Sequence, residues 1–575
     1  MTNAQIAAIL NELADFMELS GENPFKVNAY RRAARSVENS RHAVAELRDH
    51  LEELPGVGKG TAGVIEEIIA TGRSGQLEEL RQQLPPELPD LLHIPGLGPK
   101  SIYTLYRELD ITNLQALQTA AEQQQIRELP GFGPKKEQKI LEEIARFGKR
   151  PERRLLHEAL RVAHRFKEQL AKGEKIIRVE MAGSIRRLRE TIKDIDFVVA
   201  TREPGEVSEW IVSLPEVVEV VNQGETKVSV IVEAEGIEMS VDVRLVTPDQ
   251  FASAWHHFTG SKEHNVRIRQ RAKQYGWKVS EYGIFNPETE ETKTFADEAD
   301  FFSHLELPYI PPELREDRGE MEKAEQGELP ELIRIEDYRG DLHMHSLYSD
   351  GADSIYKMAK AAQERGYEYI AITDHSQSLK VASGLTMDEI FEQWEEIQKV
   401  NEELENFTIL RGTEMDILPD GRLDFPDELL EQMDIVIASI HSSFRQDEKT
   451  MTRRIVEAME NPHVDIIAHP TGRLIQRRDP YQVDIDDLFQ TAADTGTILE
   501  LNANPHRLDL NDELLKKAKE EYGLTFTINT DAHSAEGLAN IFFGIATARR
   551  GWLEKQDVIN TMPLKDLRKR LKKGK

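Results

Sequence analysis

Asp194 and Asp196 stand two apart in the run Asp194-Ile195-Asp196-Phe197-Val198-Val199, ten residues after Ser184 and upstream of a third acid, Asp242. The run has the composition of a strand, and side chains two apart on a strand share a face, so both carboxylates can grip one pair of hard divalent cations. Two such ions about 4 Å apart activate an attacking hydroxyl and stabilise a departing pyrophosphate, which is the chemistry of nucleotidyl transfer. A lone Asp-x-Asp is more often a solvated edge-strand pair, and it is the surrounding residues that favour the catalytic reading.

A second concentration of ligand-type residues lies further on: Asp341-Leu342-His343-Met344-His345, Asp350, Thr373-Asp374-His375, Glu414, His441, His469 and Asp531-Ala532-His533. Most follow short apolar runs at 369–372, 435–438, 466–468 and 525–528 that alternate with helical patterns. Such alternation indicates βα units closed into a barrel, whose ligands collect at the C-terminal strand ends. A lone histidine there is usually structural, but nine candidates in one pattern point to metal-assisted hydrolysis. The chain has no cysteine, so any metal must be held by His, Asp and Glu, which selects Mg, Mn or Zn over thiolate-bound ions.

These residues need elements to position them. At 575 residues the chain should hold several cores. Three segments repeat one pattern: Leu54-Pro55-Gly56-Val57-Gly58-Lys59, Ile94-Pro95-Gly96-Leu97-Gly98-Pro99-Lys100 and Leu129-Pro130-Gly131-Phe132-Gly133-Pro134-Lys135. Two glycines let the backbone approach a ligand closely, and the N–H groups of the helix that follows can bind phosphate. The pattern resembles the helix-hairpin-helix motif, which implies DNA-backbone contacts at Gly56, Gly58, Gly96, Gly98, Gly131 and Gly133. Strand-like runs replace helices between about 151 and 255. Residues 312–331 contain eight acidic and three basic residues, a linker composition that leads us to expect a flexible acidic segment over 312–335.

A formal charge of −30 argues against indiscriminate coating of nucleic acid, since the field of the whole molecule repels phosphate. Binding would have to be local, at Arg31-Arg32, at Arg186-Arg187-Leu188-Arg189, between Arg267 and Arg271, or in the tail from Lys565 to Lys575, which is equally a solvated helix end. No apolar run is long enough to span a bilayer, and the start carries no basic region followed by an apolar core, so a cytoplasmic protein is expected.

Taken together, Gly183-Ser184-Ile185-Arg186-Arg187, Asp194-Ile195-Asp196, Ser240-Val241-Asp242 and Phe258-Thr259-Gly260-Ser261 resemble the DNA polymerase X family over about residues 1–310. The resemblance implies Asp194, Asp196 and Asp242 as metal-binding catalytic acids with Mg or Mn. It implies Gly183, Ser184 and Arg187 on the nucleotide phosphates, with Phe258, Gly260, Asn265 and Arg269 also at the nucleotide. From 336 onward the chain looks like a PHP (polymerase and histidinol phosphatase) domain. Carried over by position, the implied ligands of two or three Mn, Zn or Fe ions are His343, His345, Asp350, His375, Glu414, His441, His469, Asp531 and His533. Arg473, close behind His469-Pro470, is either a phosphate contact or a surface salt bridge.

The implied architecture is multidomain: a helical DNA-binding domain with helix-hairpin-helix (1–90), fingers (91–150), an α+β nucleotidyltransferase palm (151–255), a thumb (256–311), the acidic linker (312–335) and a C-terminal (β/α) PHP barrel (336–575). The implied activity is gap-filling DNA synthesis with a 3′–5′ exonuclease, with abasic-site cleavage or 3′-phosphate removal left open as further activities of the PHP domain, acting on gapped or nicked DNA and dNTPs as a monomer near the nucleoid. Two other readings are a small-molecule phosphatase like histidinol phosphatase, against which the DNA-binding motifs argue, and a non-catalytic DNA-end scaffold, against which the complete ligand set argues.

Two positions depart from the family. The chain reads His256-His257-Phe258 where eukaryotic members carry Tyr before the Phe, which leaves the means of excluding ribonucleotides open. Members with 5′-deoxyribose-phosphate lyase activity carry a Schiff-base lysine eight residues after the first motif glycine, and that position is Val64. Without an amine no imine forms. Borohydride should therefore trap no covalent adduct between the chain and a 5′-deoxyribose-phosphate DNA end, and a stable adduct would refute this expectation.

Overall fold

The computed structural model describes residues 3–38, 44, 51–54, 56–85, 87–94, 97–146 and 153–571. The chain divides into two units, Met1–Pro151 and Glu152–Lys575. Among the described residues no helix is long and apolar enough to cross a membrane.

The first unit is helical. The helix Asn3–Leu19 buries Ile6, Leu10, Leu13 and Met17 at helical spacing, against Val27, Ala34, Ile65, Ile68 and Ile102 of later helices. The glycine motifs form turns into helices. Gly56 and Gly131 have φ of 81° and 83°, the left-handed region that glycine enters without a Cβ penalty. Gly58 and Gly98 immediately precede the helices Lys59–Thr71 and Pro99–Leu109, and Gly133 precedes Pro134–Arg146. Gly96 lies outside the described residues. Val64 packs against the unit's apolar core.

The second unit opens on a five-stranded sheet of β1 (Ile176–Ala182), β2 (Asp194–Thr201), β3 (Val217–Gln223), β4 (Lys227–Ala234) and β5 (Ile237–Val246), in the order β1-β2-β5-β4-β3. The β2–β5 pair is parallel and sets Asp196 opposite Asp242. Alternation along β2 separates the two faces. Ile195, Phe197 and Val199 join the core under the helix Leu156–Leu170, while Val198 and Ala200, in phase with Asp194 and Asp196, pack with Phe251 and Ala254 of the helix Phe251–Thr259.

Seven parallel strands follow in sequence order: β6 (Gly340–Asp341), β7 (Tyr369–Ile372), β8 (Thr408–Asp416), β9 (Ile435–Ser439), β10 (Ile466–Ile467), β11 (Ile498–Asn502) and β12 (Phe526–Asn529). Just past the strand ends a bridge between Met344 and Ala532 brings first and last together, so the sheet is a nearly closed barrel. Strands Tyr369–Ile372, Ile435–Ser439 and Ile466–Ile467 are buried on both faces, which is why they read as apolar runs. Leu342, Ala371, Leu410, Ile437 and Ile498 form an inner cluster with Leu567 and Leu571 of the C-terminal segment. The basic tail is thus partly structural: Arg570, in the helix Leu564–Arg570, donates to the Gly496 carbonyl and the Thr525 hydroxyl. Its residues 572–575 lie outside the described residues.

The acidic stretch 312–335 is not the flexible linker its composition suggests. Leu314, Met321, Ala324 and Leu332 are buried in one cluster with the thumb residues Ile268, Phe301 and Phe302 and with Trp552 of the barrel domain. Residues Glu320–Gln326 form a helix. Most of its acids have cationic or imidazole partners contributed by distant segments: Glu313 with Arg549, Glu316 with Arg187 and Arg550, Glu320 with His264, Glu322 with Arg267 and Glu325 with Arg271. The same pairing ties down Arg267 and Arg271, the ends of that basic cluster, while Arg269 lines the pocket beside the acids of β2.

Glu316 is the most tightly held of these acids. Burial opposes its charge, yet Arg550, Arg187 and Arg189 hold the carboxyl down to about 2. That lies below the unfolded value of about 4.3, so its contribution, about 3 kcal/mol, is present in full above that pH and is lost as pH falls toward 2. The difference in thermal midpoint between the native chain and Glu316→Gln should accordingly stay constant above pH 4.3 and shrink on acidification below it. A difference that does not change with pH would refute this account.

Candidate active sites

The first site lies on the exposed end of the palm sheet. Asp194 and Asp196 share a face of β2, and Asp242 faces Asp196 across the parallel pair. Burial, followed by the negative charges of Asp194 and Asp242, pushes the Asp196 carboxyl up to about 7. Three carboxylates set close together on adjacent strands, with the buried Asp196 raised by its two neighbours, fit a cation, whose charge would relieve the repulsion. Asp242 already has cationic and hydroxyl partners: Lys227 Nζ is 2.7 Å from Oδ2 and the Ser229 hydroxyl donates to Oδ1 at 2.6 Å. The backbone passes so close to Asp196 at Gly183, with φ of 61°, that a Cβ there would lie 2.0 Å from Oδ2.

Beside these acids opens a pocket of about 570 Å³, lined by Gly183, Ser184, Arg187, Phe258, Gly260, Asn265 and Arg269, together with Arg153, Arg189, Lys193, His257 and Lys262. All the residues expected around a nucleotide are therefore brought together. Asn265 donates Nδ2 to the His257 carbonyl at 2.7 Å, while its buried Oδ1 has no protein partner. The Arg244 guanidinium lies 4.6 Å from the Phe258 ring. Arg187 is already engaged: Nε is 3.0 Å from Glu316 Oε1, and Nη1 donates to the Thr259 carbonyl.

The second site stands at the C-terminal end of the barrel. His375 follows β7, Glu414 lies in β8, His441 follows β9, His469 follows β10 and Asp531 follows β12. Glu414 is the hub: its oxygens lie 3.3 Å from His343, 3.5 Å from His345, 3.0 Å from His375, 3.2 Å from His441 and 2.9 Å from His469. Asp350 closes the rim, 3.3 Å from His533 Nε2. Among the described residues, three groups have ligand atoms within 4.8 Å of one another, and all three are here: His345-Asp350-His375-His533, His343-His345-Glu414-Asp531 and His375-Glu414-His441. The palm acids are drawn together less tightly.

Buried ring nitrogens of His343, His345, His375 and His469 have no hydrogen-bond partner. Orphaned imidazole nitrogens among carboxylates fit metal ions better than a packed core. In this arrangement His441 is held up at about 10, because Glu414 and Asp416 outweigh its burial, while burial takes His375 down to about 3.

Comparison with known proteins gives the family. Family models described as a helix-hairpin-helix domain, a SAM-like helix-hairpin-helix tandem, a DNA polymerase beta thumb and a PHP domain match residues 1–74, 88–146, 254–316 and 341–504. The chain is 50% identical over 574 residues, the full length of both proteins, to the DNA polymerase/3′-5′ exonuclease PolX of Bacillus subtilis (strain 168). The chain belongs to the bacterial family X DNA polymerases with a C-terminal PHP domain. Its barrel region alone is also similar to probable phosphatases. One from Thermoanaerobacter sp. (strain X514) is 28% identical over 38% of this chain and 89% of its own, and one from Syntrophotalea carbinolica is 29% identical over 38% and 90%.

Several residues of this family X member that shape the two sites were not legible beforehand. Glu500 on β11 accepts from His343 Nδ1 at 2.7 Å, the His469 backbone N–H at 2.8 Å and the Asn529 amide at 3.0 Å. Asp416 is 2.8 Å from His441 Nδ1. The Arg507 guanidinium reaches within 3.7 Å of Asp531. Arg473, by contrast, is bound to Glu190 at 2.7 Å and to the Leu508 carbonyl at 2.6 Å, so the salt-bridge alternative is the one realised. A signal existed for Glu500, an acid directly after Ile498-Leu499, but the same holds for many acids that only cap loops, and Asp416, two residues past Glu414, carries no apolar run before it.

An acid that orients a ligating imidazole typically changes metal affinity by 10–100-fold. Glu500→Gln, which keeps the volume and removes the charge, should release Mn²⁺ from the barrel roughly 10–100-fold more readily in equilibrium dialysis. Unchanged retention would refute the orienting role.

Proposed function

We propose that the chain is a DNA-directed DNA polymerase that fills short gaps during repair, and that its PHP domain is a 3′–5′ exonuclease trimming the primer end. The carrying observation is one unit, Glu152–Lys575, that holds both Asp196 opposite Asp242 beside a cation-lined pocket and a separate cluster of eight His, Asp and Glu residues with His469 on Glu414 beside them. The full-length relationship to the Bacillus enzyme supports the pairing of activities.

In the synthetic site Ser184, Arg187 and Arg269 bind and orient the triphosphate, with Arg153 and Lys193 on the same wall. Guanidinium and hydroxyl donors suit phosphate oxygens. Of the Arg187 nitrogens, Nε and Nη1 already have protein acceptors, so Nη2 is the one left for the nucleotide. The free Oδ1 of Asn265 accepts from the nucleotide, and the Phe258 ring, fixed by Arg244, forms a floor. Lys227 and Ser229 hold Asp242 in line with Asp196. Mg or Mn at Asp194, Asp196 and Asp242, and two or three Mn, Zn or Fe ions among the barrel ligands, would supply activated oxygen nucleophiles and neutralise charge on the leaving groups.

In the hydrolytic site Glu500 and Asp416 orient His343 and His441, and Arg507 is placed to bind a phosphate of the strand end. The likeness of the barrel to probable phosphatases favours, as a second activity of this site, removal of a 3′-phosphate. The substrates are gapped or nicked DNA and dNTPs, the glycine turns of the first unit hold the DNA backbone, and the enzyme works as a cytoplasmic, nucleoid-associated monomer.

On a labelled single-nucleotide gap with dNTPs and Mg or Mn, Asp194→Ala should abolish extension while 3′–5′ hydrolysis persists, and His343→Ala should do the reverse. Loss of both activities from either substitution in a folded chain would refute the two-site assignment.

A further inference from the structure

Within the second unit, the barrel domain meets the palm and the 312–335 stretch through several ionic and apolar contacts. Arg473 binds Glu190, Arg549 binds Glu313, and Leu155 packs with Ile475 and Leu508. One contact differs from these because it ends on a residue of the nucleotide pocket. Arg550 is the last residue of the helix Ile541–Arg550 and only 4% of its side chain is exposed. Its Nη1 donates to Glu316 Oε1 at 2.9 Å and to the Arg187 backbone carbonyl at 2.8 Å, and its Nη2 donates to Asp512 at 2.8 Å. Glu316 Oε1 in turn accepts from Arg187 Nε at 3.0 Å.

We propose that Arg550 is a positioning residue for nucleotidyl transfer: by gripping both Glu316 and the Arg187 carbonyl, it fixes the Arg187 guanidinium at the nucleotide pocket from within the barrel domain. The inference rests on the polymerase reading above. Arg187 lines the pocket, whereas Arg550, Glu316 and Asp512 do not.

The argument is one of preorganisation. An arginine free to rotate must be immobilised when the triphosphate arrives, and that loss weakens binding, whereas a side chain already held in place does not incur it. Glu316 cannot hold Arg187 in a fixed geometry unless its own carboxylate is fixed. Arg550 provides the shorter anchor, at 2.9 Å on Oε1 against 3.5 Å for Arg189 on Oε2, and Asp512, which also binds Arg318 at 3.0 Å, anchors Arg550. If Arg550 served only to attach the barrel, Arg549 would be its equal, because both end the same helix and both pair with an acid of the 312–335 stretch.

The test uses the full chain on a single-nucleotide gap and measures KM and kcat for the incoming dNTP. The variants are Arg550→Met, Arg549→Met, Glu316→Gln, Arg187→Met and the double Arg187→Met/Arg550→Met. Arg550→Met should raise the dNTP KM roughly tenfold, with a smaller change in kcat, while Arg549→Met stays within about twofold of the native chain. The double variant should be no worse than Arg187→Met alone, because Arg550 acts only through Arg187. Hydrolysis of a single-stranded 3′ end verifies that each variant is folded, and if Arg550→Met fails that check, Glu316→Gln decides by the same KM rise and the same non-additivity with Arg187→Met. Equal effects of Arg550→Met and Arg549→Met, or a full additional loss in the double variant, would overturn the proposal. Absence of extension by the native chain would instead overturn the polymerase reading itself.

Discussion

A carboxylate taken out of water must be answered by a cation or by hydrogen-bond donors, because its desolvation otherwise costs several kcal/mol. The unit Glu152–Lys575 is organised around that constraint. Glu298 lies between Arg186 and Arg315, Glu316 between Arg187 and Arg550, and Glu414 among five imidazoles. In each case the partners come from segments far apart in sequence, so satisfying one buried charge fixes several elements together. Removing one partner would leave the other buried and unpaired, at about 3–5 kcal/mol.

The two centres use the constraint differently. At the barrel the ligands crowd round Glu414 with their ring nitrogens partly unpartnered, a donor set of imidazoles and carboxylates that suits metal ions. At the palm the acids share a strand end, and a lysine ammonium occupies one of them. The pocket beside them is rich in cationic side chains, suited to a ligand that brings its own negative charge. A centre of clustered imidazoles and carboxylates and a centre of acids beside a cationic pocket are two answers to the same electrostatic problem.

How much of this was legible in the sequence depended on whether the signal was local. Strand alternation around Asp194 and Asp196, glycine turns before helices, and ligands just after apolar runs are all written within a few residues, and the β2 face, the helical first unit and the barrel follow them. The 312–335 stretch failed for the opposite reason. Its acids read as solvated because their partners, Arg187, His264, Arg267, Arg549 and Arg550, are placed beside them only by the fold. Arg473 and Glu500 are similar cases: nothing near Arg473 in sequence announces Glu190, and Glu500 looks like any acid after an apolar run until His343 and His469 are seen against it.

The bridge between Met344 and Ala532 closes the barrel by joining its first strand to its last. Such a contact requires the whole intervening chain to be looped before it is rewarded, whereas the helices of the first unit form from neighbours a few residues apart. Loop-closure entropy and contact order therefore set the two units on different clocks. The helical unit is built to reach its native state early, and the barrel to be the slow step, with its unpaired strand edges exposed for as long as the ring stays open.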